Sequence, residues 1–553
     1  MINTLPVEEQ LTLVLLAPWE KRNEIICSSR RAGDLVRAIP PEELFWTVKA
    51  LGPEDSSTIL SLASPAQLQL FFDLDWWSKA EIRAEKVVSW LLIMTECAKE
   101  GMKGWLKWIL EKDVWLMASI FSGFVSVVKR PDDMDIQEAK DVLPAFTLDN
   151  VYYLSFKNQK LSPLFASLVG MILEISPGLY RDLFETMLGE TVSHNLETAY
   201  RLRCGRLQDF GIPDYYDSLD IYLPMEPEEM HRINTEQFER LPVHIDMPPF
   251  VPTLYVSGFP VLEDAVRNLA GHRVMERIVR EVTGIANKVM MADLIDLDDP
   301  EDMKDALKKT FSMLNLSMEY LGRKWSLSPA EILMSCFLEE IVRVGCRLLL
   351  PISSRAKEMA GKDAAKLLPY GMREQLKAAS KRPAMLYDEA TANEFYISSL
   401  EQLQECRNRV KSATCWCRIL ETLFPRPSYR EDINWKKTNF LAVEEFTAEA
   451  ALFTAASNLL LVDRLDVRVL SDEKIQRLKD ILADISVDET VNRTLSALER
   501  KATSLFESSE ERSVIRALVG KSIKGGFNEL KNLQAGDRGG MRFLKYILAE
   551  IPE

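Results

Sequence analysis

Four short segments near the start of the chain repeat one local pattern, in which a proline is followed by acidic or amide side chains. They lie at residues 5–9, 39–43, 51–55 and 63–67. Proline is pre-organised for the first position of a helix, and carboxylates behind it stabilise the positive end of the helix dipole. Each segment therefore predicts the start of a helix.

The spacing of these segments indicates how the helices are arranged. Pro41, Pro53 and Pro65 follow one another at intervals of 12 residues, so the helices between them are expected to have about two turns. Their apolar residues recur every three or four positions, as expected for one buried stripe per helix. Helices this short are not stable alone and must stack on their neighbours. The sequence therefore predicts an α-solenoid in this region.

Later segments complete the predicted fold. The apolar run from Val114 to Val128 predicts a buried core helix, because its length falls short of the roughly 20 residues that cross a bilayer. Residues 145–156 combine β-branched and aromatic side chains around an Asp-Asn pair, which predicts a hairpin. Prolines exclude a helix over 242–260, and helical spacing continues from 261 to the end.

The predicted fold class is predominantly all-α. It consists of α-solenoid-like N-terminal helical repeats and a C-terminal helical bundle, with one small β-hairpin near 145–156. The predicted organisation is a short-helix repeat domain at 1–140, a helical domain with the β-hairpin at 141–241, a proline-rich crossing at 242–260 and a C-terminal helical domain at 261–553.

Charge and cysteine content bound the location and the partners. The formal net charge of −15 repels phosphate backbones, so nucleic acid is not an expected partner. The eight cysteines show no ladder of close spacings and are typical of reduced thiols in the cytoplasm. We expect no signal peptide, because residues 1–9 lack a basic segment, and no transmembrane segment. Nothing in the sequence indicates an oligomeric state.

No metal site, cofactor or catalytic centre is predicted. The chain has four histidines, and no two of them have the three- or four-residue spacing of a helical metal site. Cys415 and Cys417 lie two positions apart in a predicted helix and point to opposing sides. These observations favour a protein that is not an enzyme.

The densest polar cluster is the first place to look for a site. It contains Arg201, Arg203, Arg206, Asp209 and Asp214. Arg206 and Asp209 are about one helical turn apart and can pair. The cluster is either a structural salt-bridge network at a helix junction or a binding site for an anionic ligand, since arginines bind anions through paired hydrogen bonds.

Four segments carry a resemblance to a known family. Residues 39–44, 62–75, 146–152 and 203–214 resemble those of a bacterial family that shares a domain of unknown function, which implies no activity. The proline-acid repeats are also similar to the cytosolic superhelical domain of MgtE-type magnesium channels. That likeness covers about 75 residues and implies a helical repeat fold.

The sequence alone leaves the function unknown. The leading hypothesis is a non-enzymatic helical scaffold or regulatory protein that binds other proteins along the solenoid. The alternative is an enzyme or small-molecule sensor that binds an anionic ligand at an interdomain cleft, using the arginine cluster.

Overall fold

The structure is a computed structural model. It describes residues 2–17, 19–233, 258–269, 274–295, 300–424, 433–440, 445–506, 508–533 and 540–551. The described chain falls into two compact units. The first comprises residues up to 221 together with 274–295 and 300–310, and the second comprises 222–233, 258–269 and the described residues from 311 onward.

The first unit begins with short helices stacked in two layers. These elements are α1 (Val7–Leu16), α2 (Trp19–Ser28), α3 (Ala32–Ala38), α4 (Pro41–Leu51), α5 (Ser57–Leu62), α6 (Pro65–Asp75), the hairpin β1 (Trp77–Ser78) and β2 (Glu81–Ile82), α7 (Ala84–Cys97) and α8 (Lys99–Lys112). The even-numbered helices pack in series from α2 to α8, and the odd-numbered helices pack in series from α1 to α7. This alternation is the two-layer arrangement of an α-solenoid.

Three of the four proline segments begin helices as predicted, and Pro6 directly precedes α1. Pro41 and Pro65 are the first residues of α4 and α6, and Ser64 forms a capping box with Gln67 at the start of α6. The predicted start at Pro53 is wrong, because α5 begins only at Ser57. Gly52 has a positive φ of 90°, and the hydroxyl of Ser56 donates to the Gly52 carbonyl at 2.8 Å. The chain therefore completes a turn before the helix can start.

The apolar run after α8 changes its secondary structure. Helix α9 (Val114–Phe124) ends before the run does, and the strand β3 (Val125–Lys129) follows directly. The prediction of one helix through Val128 is therefore wrong beyond Phe124. The β-branched residues in the last part of the run favour an extended conformation, and β3 pairs with the later strand β5, which supplies the backbone hydrogen bonds.

The predicted hairpin near 145–156 is confirmed. Strand β4 (Phe146–Thr147) pairs with β5 (Tyr152–Phe156), and β5 also pairs with β3 in antiparallel register, with Val125 opposite Phe156. The sheet order is β3-β5-β4. The prediction of one hairpin alone is wrong, because β1 with β2 forms another and a further pair lies in the second unit.

The remaining elements are almost all helical. They are α10 (Ile136–Val142), α11 (Ser162–Ile175), α12 (Pro177–Gly189), α13 (Val192–Gln208), α14 (Tyr215–Ser218), α15 (Pro260–Asn268), α16 (Val274–Asp293), α17 (Pro300–Trp325), α18 (Pro329–Ser335), α19 (Leu338–Ala360), α20 (Tyr370–Ala379), β6 (Met385–Asp388), β7 (Asn393–Tyr396), α21 (Leu400–Leu423), α22 (Ala448–Val462), α23 (Asp472–Asp484), α24 (Val487–Lys501) and α25 (Ser509–Asn532). The predominantly all-α class is therefore confirmed.

Each unit has its own packing centre. In the first unit, α9 packs against α12 and α13, and one continuous apolar core extends from Val14 to Ala199. In the second unit, α21 packs against α19, α20, α22 and α25. The last described residues are held there by Asn439, whose amide donates to the carbonyls of Leu544 at 2.7 Å and Ile547 at 2.8 Å.

The predicted proline-rich crossing lies mainly outside the described residues, which resume at Gly258, and Pro260 is the first residue of α15. The predicted domain boundaries stay predictions. No helix in the part of the chain that the structure describes is long and apolar enough to cross a membrane.

Candidate functional site

The predicted arginine cluster is carried by α13, which packs on α6 and α9. Its buried residues are Asn195, Ala199, Arg203 and Leu207. These positions are four residues apart and therefore form one face of the helix. Arg203 is 2% exposed, which is unusual for a charged residue unless it has partners. The helix thus directs an arginine into the interior of the first unit.

Arg206 is held by two buried carboxylates. Its Nε lies 2.7 Å from Oδ2 of Asp73, and its Nη2 lies 2.9 Å from Oδ1 of the same residue. Its Nη1 donates to Oδ2 of Asp113 at 2.9 Å. The side chains of Asp73 and Asp113 are at most 1% exposed. The guanidinium therefore uses all three of its nitrogens, and its fork matches Asp73 in the paired geometry that arginine favours.

Both carboxylates are fixed by further hydrogen bonds. Oδ1 of Asp73 also accepts from the amide of Gln69 at 2.8 Å, and the indole of Trp105 donates to that amide oxygen at 2.8 Å. Oδ1 of Asp113 accepts from the backbone N–H of Leu116 at 3.0 Å and so caps the start of α9. The network therefore joins α6, α8, α9 and α13.

Arg203 makes a different set of contacts. Its Nε donates to the backbone carbonyl of Asp73 at 2.7 Å, and its guanidinium lies 5.3 Å from the centre of the Trp77 ring. The ring of Tyr200 lies 5.9 Å from that of Trp77. Among the described residues, Nη1 of Arg203 has no hydrogen-bond partner. Arg203 thus ties α13 to α6 through a hydrogen bond and to β1 through a cation–π contact.

Burial and charge act in opposite directions on these groups. Burial raises the pKa of Asp113 above its usual value, and the charge and hydrogen bond of Arg206 only partly offset this. Burial lowers the pKa of Arg203. Burial also acts to lower the pKa of Arg206, but its hydrogen bonds and the charges of Asp73 and Asp113 raise it overall. Arg206 therefore stays charged, and the network depends on that charge.

A second polar cluster lies at the end of α6, two residues beyond Asp73. The carboxylate of Asp75, which is 2% exposed, lies 3.0 Å from the ammonium of Lys49. It also accepts from the indole of Trp90 at 2.5 Å, and Arg83 donates to the backbone carbonyl of Asp75 at 2.6 Å. These bonds link α6 to α4 and α7, so buried polar groups connect both layers of the solenoid.

The other predicted site residues lie apart from the network. Arg201 and Asp209 are exposed. Asp214 accepts from the backbone N–H of Asp217 at 2.9 Å and caps α14. The predicted pairing of Arg206 with Asp209 is wrong, because the guanidinium of Arg206 is fully engaged by Asp73 and Asp113. Two of the five predicted residues therefore meet in one network.

The comparisons with known proteins concern the whole chain. Residues 1–550 match the sequence model of DUF6178, which is described as a family of unknown function. The chain belongs to this family. No curated protein and no solved structure matches the chain. Membership in DUF6178 confirms the resemblance to a family sharing a domain of unknown function, whereas the likeness to MgtE-type channels is not shown.

The structure of this DUF6178 chain identifies members of the network that the sequence did not indicate. Asp73 and Asp113 are the partners of Arg206, and Gln69 orients Asp73. One signal was available: Gln69 and Asp73 stand in the apolar stretch 68–77, where polar residues need buried partners. No group of three or more metal-ligating side chains is found in the described ranges.

Proposed function

We propose that this chain is a non-enzymatic helical scaffold or regulatory protein that binds other proteins. The observation that carries the proposal is the two-layer solenoid from α1 to α8. Helices stacked in this way form an extended surface on each side of the stack, and such surfaces are used to bind other proteins. The net charge of −15 favours protein partners over nucleic acid.

The arginine cluster supports this proposal. A binding site for an anion needs arginine donors that a ligand can reach. The guanidinium of Arg206 instead donates its hydrogen bonds to Asp73 and Asp113, and Arg203 is 2% exposed. These contacts favour the structural interpretation of the cluster, in which α13 is locked onto the solenoid.

The connection between β3 and β4 supplies a candidate contact surface, which we call the arm (residues 130–145). It carries α10, in which Ala139 alone is buried. Ile136 is 45% exposed and Val142 is 68% exposed. Both residues lie on one short helix, and exposed apolar surface of this kind can mark an interaction site. The arm is therefore the first surface to test.

The test compares the proteins recovered from a native lysate by cross-linking and affinity purification. We expect a specific partner to be recovered with the unmodified chain and lost with the double variant Ile136→Asp/Val142→Asp. The free energy of unfolding should change by less than about 1 kcal/mol, because both side chains are exposed. Leu188→Asp is the matched control, since Leu188 is 42% exposed on α12, and it should keep the partner.

Two outcomes would count against the scaffold. One is a repeated failure to recover any specific partner with the unmodified chain. The other is a metabolite that raises the melting temperature of the unmodified chain but not of Arg201→Ala, which would favour a site for an anionic ligand at the exposed part of the cluster.

The proposal also covers the cellular location of the chain and a likeness of fold. We propose that the chain is a bacterial protein of the cytoplasm; the compartment is supported by its described cysteines, which are free and mostly buried, because reduced thiols are typical there. A solenoid at residues 7–112 is compatible with a likeness to the superhelical domain of MgtE-type channels, which we propose at the level of fold.

A further inference from the structure

An extended segment of the second unit lies along the ends of three helices in the way that a bound peptide would. We call residues 223–233 the strap. Its only regular structure is a short 3-10 turn at Pro227–Glu229. The face beneath it, which we call the docking face, is formed by the end of α17, the end of α18 and the first half of α19.

Backbone hydrogen bonds hold both ends of the strap. At its start, the carbonyl of Leu223 accepts from Nε of Arg343 at 3.1 Å, and the N–H of Met225 donates to the Arg343 carbonyl at 3.3 Å. At its end, the N–H of Ile233 donates to the carbonyl of Ser335 at 2.9 Å. Contacts to the main chain at both ends are how extended peptides are held by their receptors.

Charged side chains fix the register between these ends. Glu226 pairs with Arg347 at 2.5 Å, and Glu228 pairs with Lys324 at 2.5 Å. Glu340 accepts from the backbone N–H of His231 at 2.8 Å and contacts its Nδ1 at 2.6 Å. The docking face thus matches a defined spacing of charges.

An aromatic contact adds to these charges. The guanidinium of Arg232 lies 3.8 Å from the centre of the Trp325 ring, which is a close cation–π geometry.

Little of the strap is buried. Pro227 and Met230 are its buried residues, whereas the side chains of Glu228 and His231 are 64% and 77% exposed. Exposed ion pairs are weak and are screened by salt. A tether raises the effective concentration of a weakly bound segment to about the millimolar range. The strap is therefore held in large part because it belongs to the same chain.

We propose that the docking face is a binding site for an acidic linear peptide of a partner protein, and that the strap occupies it as an internal ligand. The recognised peptide carries carboxylates on both sides of a proline, so that one meets Arg347 and the other meets Lys324. This inference is independent of the role proposed for the solenoid, because every group it uses lies in the second unit.

The test uses the full chain and a fluorescent synthetic peptide with the sequence of the strap, residues 223–233. In the strap variant Glu226→Lys/Glu228→Lys, charge repulsion should release the strap, which hydrogen exchange of residues 223–233 would detect. Fluorescence anisotropy should then show that the peptide binds this variant at least about tenfold more tightly than the unmodified chain, whose tethered strap competes.

Charge exchange provides the matched control. A chain that also carries Lys324→Glu and Arg347→Glu should pair these residues with the new lysines of the strap. Its strap should be protected again, and the peptide should lose its binding. A peptide with lysine in place of both glutamates should fail to bind the strap variant.

A second measurement needs no variant. Raising the ionic strength from about 0.05 M to about 0.5 M should accelerate hydrogen exchange of residues 223–233 in the unmodified chain, because salt screens the exposed pairs. Exchange in α19 should stay unchanged.

Three results would overturn the proposal. The first is a strap that stays protected at high salt and in the strap variant, which would make it an integral part of the fold. The second is peptide binding that does not depend on the charges of residues 324 and 347. The third is dimerisation of the strap variant by exchange of straps between copies, which would assign the docking face to a second copy of the chain.

Discussion

Replacing Arg206 by methionine is expected to lower the free energy of unfolding of the first unit by about 3–5 kcal/mol. The substitution removes the cation that pairs with both Asp73 and Asp113. It leaves two nearly inaccessible carboxylates without their shared ion pair, and a buried charge that loses its partner is costly. The loss should be measured by urea denaturation followed through tryptophan fluorescence, since eight of the 11 tryptophans lie in residues 1–221.

Arg201→Met is the matched control for this prediction. Arg201 lies on the same helix and is exposed, so its replacement should change the free energy of unfolding by less than about 0.5 kcal/mol. A triple variant, Arg206→Met/Asp73→Asn/Asp113→Asn, should recover part of the lost stability, because it removes the stranded charges. Equal effects of Arg206→Met and Arg201→Met would show that the network does not stabilise the unit.

Replacing Gly101 by alanine is expected to destabilise the solenoid by about 1–3 kcal/mol. Gly101 lies in α8, where it faces α5, and a Cβ atom there would come within 2.6 Å of the carbonyl oxygen of Leu60. That oxygen belongs to the backbone and cannot move aside as a flexible side chain could. The two helices would have to separate, which weakens packing on both sides of the contact.

Gly104→Ala provides a control three residues further along α8. A Cβ atom at Gly104 meets nothing within 4 Å, and alanine has a higher helix propensity than glycine. This variant should therefore be more stable than the unmodified chain by about 0.5–1 kcal/mol. The same denaturation experiment measures both variants. If Gly101→Ala proves as stable as Gly104→Ala, then α5 and α8 do not approach each other as closely as the structure shows.

Much of the fold was accessible from the sequence because its causes are local. A proline at the first helical position acts within one turn, and Pro41 and Pro65 begin helices as predicted. Pro53 fails for an equally local reason, since the turn between Gly52 and Ser56 delays the helix. The strand after Phe124 was missed because an apolar, β-branched segment is compatible with either structure until a pairing partner is known.

Only part of the candidate site could be predicted from the sequence. The sequence indicated Arg203 and Arg206 as members of its densest polar cluster. It also suggested Asp209 as a partner, since Asp209 is the nearest acid at helical spacing. The actual partner Asp73 lies 133 positions from Arg206, and Asp113 lies 93 positions away. Spacing along one helix carries no information about such distant groups.

The sequence by itself therefore determined the predominantly helical class, the stacked short helices and the hairpin near residues 145–156, since helix starts, apolar stripes and turns depend on neighbouring residues. Only the tertiary structure decided what the arginines of α13 do. Packing brings α6, α9 and α13 together, and in that buried setting Arg206 gains more from two fixed carboxylates than from a hydrated aspartate on its own helix.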